Sequence, residues 1–131
     1  MVDVFSTLHF GNMILVLITG TISGVWGLIL YFTKRPANPP WRIALTVTAV
    51  VGLLQALLGI VLVLLGQKPA GGSLYYLHFV YGGIVALAIP VAITYATGGK
   101  NPRRDMLIFS IAALIIVAAG ARALMTALGL P

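Results

Sequence analysis

The sequence contains no cysteine. That excludes disulfides, thiolate metal sites, iron–sulfur clusters and the covalent haem attachment of a CxxCH motif, so any haem would be held by side-chain ligation and packing alone. Acidic residues are nearly as scarce, with Asp3 and Asp105 the only carboxylates. Neither falls inside an apolar run, which leaves a carboxylate proton relay, a cation pump or a paired-carboxylate site without its working groups. There is no phosphate-binding loop and no nucleophile–base–acid triad. With His9 and His78 the only histidines, a catalytic zinc would lack ligands. Charged residues make up 8% of the chain, against about 25% in a soluble domain. With 60% hydrophobic residues and a mean hydropathy of +1.09, the chain could not present a wettable surface. It reads as one small membrane domain spanning residues 1–131.

What is present falls into four apolar runs, at about residues 4–32, 43–65, 74–97 and 106–128. Each reaches the ~20 residues a helix needs to cross ~30 Å of hydrocarbon. Every break between them carries Pro or Gly, which stop helices. Barrel strands would be about ten residues long with period-two alternation, and no such pattern occurs. The expected fold is therefore all-α, an integral membrane four-helix bundle with up-down-up-down connections.

The net charge is +6. Lys34, Arg35 and Arg42 lie in the first connection and Lys100, Arg103 and Arg104 in the third, whereas the second has only Lys68. This distribution excludes nucleic acid as the partner and reads instead as orientation signals and contacts for anionic lipid. It predicts the first and third connections in the cytoplasm of a cell inner or plasma membrane, with both termini outside. No basic n-region or small-residue cleavage site precedes the first run, so that run is expected to be a retained anchor rather than a signal peptide. No lipidation motif is seen. Tyr31, Trp41, Tyr75 and Tyr76 sit at boundaries and read as an aromatic belt. Pro90 is expected to bend the third helix.

The histidines recur in one tripeptide, Leu8-His9-Phe10 and Leu77-His78-Phe79, each opening an odd-numbered helix just inside the outer boundary. The two copies lie about half the chain apart, a weak two-helix tandem repeat. In an up-down-up-down bundle the first and third helices are parallel and diagonal, so the two imidazoles would face each other at one depth. Two neutral imidazoles opposed across an apolar core are what a bis-histidine haem iron requires. On helical steps below His9 come Met13, Val16, Gly20, Ser23 and Gly27; below His78 come Gly82, Val85, Ile89, Ala92 and Ala96. The second helix offers Gly52, Gln55, Gly59 and Gly66. Small residues let a flat ring approach, and they equally serve plain helix packing. Met13, Gly82 and Gln55 are thus candidate cofactor contacts, with a helix–helix hydrogen bond the alternative for Gln55. Arg122, the one charge well inside a run, could hold a haem propionate or snorkel to the headgroups. A histidine at a membrane boundary can likewise be a simple interfacial residue.

These features resemble one half of a haem A synthase. The resemblance rests on Leu8-His9-Phe10, on Leu54-Gln55-Ala56-Leu57-Leu58-Gly59, which is similar to the stretch between that family's histidine helices, and on Leu77-His78-Phe79. It would cover most of the chain, and it implies a haem-holding bundle. The family has two such halves where this chain has one. Its glutamate before the first histidine is replaced by Val4-Phe5-Ser6-Thr7, its loop cysteine pair is missing, and so is the arginine that often follows the histidine. The expectation is non-covalent haem b, iron bound by His9 and His78, with electron transfer rather than enzymatic activity. A haem near one face needs a quinol or another redox subunit to exchange electrons with. The other readings are a cofactor-free accessory subunit of a larger membrane complex and a haem-modifying, synthase-like protein. Two chains could also share one core as a homo-dimer.

Overall fold

The computed structural model describes residues 1–69 and 75–130. Ala70 to Ser73 of the second connection and Leu74, the expected start of the third run, lie outside the described residues. Four helices form: α1 Val2–Phe32, α2 Pro39–Leu64, α3 Tyr76–Tyr95 and α4 Pro102–Ala127. Each is long and apolar enough to span a membrane, and no strand occurs among the described residues. The protein is compatible with an integral membrane location.

Two helices begin four residues earlier than the apolar runs suggest. Asn38 and Asn101 are N-caps, accepting hydrogen bonds from Trp41 N (2.8 Å) and Arg104 N (3.1 Å). Pro39 and Pro102 then occupy the first helical position, where a missing N–H costs nothing. Consequently Arg42, Arg103 and Arg104 belong to first helical turns rather than to loops. α2 also stops at Leu64, which leaves Gly66 (φ +85°) beyond the helical stripe on which the sequence placed it. Asp105 closes the α3–α4 connection by accepting from Thr97 N, Thr97 Oγ1 and Gly99 N at 2.8, 2.9 and 3.2 Å. α3 runs through Pro90 without interruption.

The helices pack in a ring, each against its sequence neighbours, with α4 closing on α1. α1 and α3 are therefore diagonal, as are α2 and α4. The interior is filled by Met13, Val16, Val85, Ile89, Ala112 and Ile116. Close approach is set by glycine at Gly52, where an added Cβ would lie 2.8 Å from the Val85 carbonyl oxygen of α3. The stripes below both histidines face inward: Met13, Val16, Gly20, Ser23 and Gly27 are buried, as are Val85, Ile89 and Ala92.

Trp41 departs from the belt expectation. It is 3% exposed, packs with Leu30 and Met106, and donates from Nε1 to Ser23 O at 2.9 Å. Starting α2 at Pro39 places Trp41 in a first turn that faces the core, and an indole N–H there must find an internal acceptor. Ser23 and Thr48 hydrogen-bond beside it through their hydroxyls, at 2.9 Å. Tyr31 stays at the surface, half-buried, with the Arg103 guanidinium 4.1 Å from its ring centre.

Candidate functional site: the paired histidines

His9 lies in the second turn of α1 and His78 in the first turn of α3, at the end of the bundle away from the basic connections. Because the two helices are parallel and diagonal, the side chains converge. Their ring centres are 6.0 Å apart, with the ring planes at 67°. The expected meeting at one depth is present.

The two rings are held differently. His78 Nδ1 lies 2.8 Å from the Ala123 carbonyl oxygen of α4 and 3.3 Å from Thr126 Oγ1. A carbonyl can only accept, so Nδ1 carries a proton, and in the neutral ring the lone pair is then on Nε2. Orientation of one ring nitrogen by a backbone carbonyl is the usual support of a metal-ligating histidine. His9 instead rests against α2, with Cε1 3.3 Å from the position a Cβ on Gly59 would take. Its Nδ1 is buried without a hydrogen-bond partner, the one such side-chain atom among the described residues. A polar atom in that condition costs about 1–3 kcal/mol.

The surrounding candidates separate into groups. Gly82, one turn from His78 on its inward stripe, is half-buried, and a Cβ there would meet nothing within 4 Å. Met13, one turn below His9, is 4% exposed and packs into the core, its Cε close to Gly120. Gln55 is engaged between helices: its Oε1 accepts from Asn12 Nδ2 at 2.9 Å, and the same amide donates to Val51 O at 2.9 Å. Arg122 is half-buried on α4, adjacent to Ala123, with its guanidinium 5.7 Å from the Tyr81 ring centre and Nη1 3.7 Å from Met125 Sδ. It stands at the histidine depth on the α3–α4 seam. Ala123 and Thr126 escaped the sequence reading. A backbone carbonyl has no sequence signature, and a lone threonine near a helix end is unremarked.

Chemically, the pair can supply two imidazole ligands and little more. Among the described residues no group of three or more His, Cys, Asp or Glu gathers into a possible metal site, so an all-protein cage is not available. A haem brings four equatorial nitrogens of its own and asks the protein for axial ligands alone. Two imidazoles with ring centres 6.0 Å apart at one depth, one of them oriented through Nδ1 by a backbone carbonyl, are the donor set that would hold such a group. The residues fit the group.

No family model, curated protein or solved structure matches this chain. The site's own geometry carries its interpretation.

Proposed function

We propose that this protein is a membrane-embedded b-type haem protein that holds one haem between His9 and His78, near the extracytoplasmic side, and passes single electrons. The observation that supports this reading best is the convergence of the chain's two histidines at 6.0 Å, one with its Nδ1 proton held by the Ala123 carbonyl. His9 and His78 would hold the haem, which would supply one-electron exchange. The remaining roles fall to the chain. Ala123 O and Thr126 Oγ1 orient His78, Gly82 adds no side chain one turn from it, and Met13 packs beneath His9. Gln55 keeps α2 beside the histidine helix through Asn12, and Arg122 offers a guanidinium to a propionate. The missing synthase glutamate and cysteine pair favour an electron carrier over a haem-modifying enzyme.

One haem near one face does not carry an electron across a bilayer. A quinol, another redox subunit or a second membrane partner must complete the path. The distribution of Lys and Arg supports both termini outside. The deciding experiment is an optical spectrum of the protein purified after expression with added haem. A low-spin Soret and α-band pair is expected; a colourless protein would overturn the reading and favour the accessory-subunit alternative.

A further inference from the structure

A trough of about 340 Å³ runs along the α3–α4 seam, on the half of the bundle that carries the basic ends. Its floor is made of small side chains, Ala88 and Ala92 from α3 and Ala112 from α4, and the exposed Ile111 and Ile115 rise along one side. At the basic end the trough reaches Arg104. Arg104 Nη1 donates to Tyr95 O at 3.1 Å, which steadies the guanidinium at the head of the trough and leaves most of its five N–H donors for something else.

Length and charge identify what fits. From Arg104 to Ile115, α4 rises about 16 Å at ~1.5 Å per residue, which is half of the ~30 Å hydrocarbon core. The trough thus begins at a cation in the interfacial region and ends near the bilayer midplane, the reach of one lipid in one leaflet. Lys34, Arg35, Arg42, Lys100 and Arg103 share that end of the molecule. Asp105, the carboxylate there, accepts from Thr97 and Gly99 and its charge also acts on Arg104. Six basic side chains against this one carboxylate leave that end of the molecule net positive.

We propose that this trough binds an anionic phospholipid from the leaflet on the side of the basic connections, with its phosphate on Arg104 and an acyl chain over the alanine floor. The site is independent of the histidine pair. It lies towards the opposite end of the bundle and would operate with or without a cofactor.

The test is native mass spectrometry of the full chain, extracted from vesicles of equimolar phosphatidylglycerol and phosphatidylcholine. Wild type is expected to retain one phosphatidylglycerol in clear preference to phosphatidylcholine. Arg104→Gln should reduce that preference about fivefold, the worth of one basic residue near an anionic surface. Val91→Trp, at an exposed position lining the trough, should displace the chain and lower retention of both lipids. Arg35→Gln, in the first connection, removes equal charge away from the trough and should have the smaller effect. Equal losses from Arg104→Gln and Arg35→Gln would mean diffuse attraction and overturn the site. So would wild type retaining both lipids alike, or Val91→Trp retaining lipid like wild type. Circular dichroism on each variant confirms that the helices are intact.

Discussion

At the scale of single residues, the interior is polar at few points, and among the described residues one buried side-chain nitrogen, His9 Nδ1, lacks a hydrogen-bond partner. His9 and His78 carry the functional reading. If they hold a haem as proposed, replacing either with Ala removes one of its two protein ligands, and the expected result is a high-spin or haem-free protein in the optical spectrum. Because membrane helices associate through packing rather than through a buried cofactor alone, each variant should still insert as four spans. Arg122→Leu is expected to lower haem retention or shift the reduction potential while the low-spin spectrum persists. A haem unaltered in both affinity and potential would leave Arg122 a packing residue that contacts Tyr81 and Met125. The Asn12–Gln55 pair is a separate case. Asn12→Leu strands Gln55 Oε1 in an apolar interior and should destabilise the bundle by about 1 kcal/mol, since buried polar contacts between membrane helices are worth about 0.6–2 kcal/mol. Asn12→Leu combined with Gln55→Leu should recover part of that loss, because no buried group is then left unpaired. Detergent-titrated unfolding followed by circular dichroism measures both.

At the scale of elements, helix spacing is controlled by glycine where backbones nearly touch. Gly52→Leu would bring a Cβ to 2.8 Å from Val85 O. Backbone cannot rotate away as a side chain can, so α2 must move off α3, and overpacking of this kind costs about 1–3 kcal/mol. Gly11→Leu, where an added Cβ meets nothing within 4 Å, is the matched control and should be close to neutral in the same unfolding assay. The helix starts follow a different rule. Asn38-Pro39 and Asn101-Pro102 are cap-and-first-turn signals that begin α2 and α4 in the polar region, ahead of the apolar run. Reading boundaries from hydropathy alone misses them, because the first turn of each helix is charged.

At the scale of the whole molecule, the bundle is polarised. Six basic side chains cluster at one end and the histidines lie at the other. The positive-inside rule then makes a topological prediction: reporter fusions at both termini should report the extracytoplasmic side, and insertions at Lys34–Pro36 the cytoplasmic side. A cytoplasmic C-terminus would place the histidine pair at the inner leaflet while leaving its geometry intact. Polarisation also separates the two proposed activities, one ligand pair at the termini end and one lipid trough at the basic end, so each can be disabled without the other.

Four spans, their order and the depth of His9 and His78 are determined by the sequence alone. The bilayer imposes a fixed apolar length on every crossing, and short connections leave few ways to arrange four antiparallel helices. The inward stripes below the histidines were legible for a related reason, since small side chains mark where helices approach in lipid. Partners were not legible. Asn12 could meet Gln55, a headgroup or a cofactor; Trp41 has a ring that suits a membrane boundary as well as a buried hydrogen bond; and the acceptor for His78 is a carbonyl that every residue possesses. Only the tertiary structure decided these. A helix that is apolar on all sides carries little hydrophobic contrast to set its rotation, so a few hydrogen bonds and glycine contacts between helices choose which atoms finally meet.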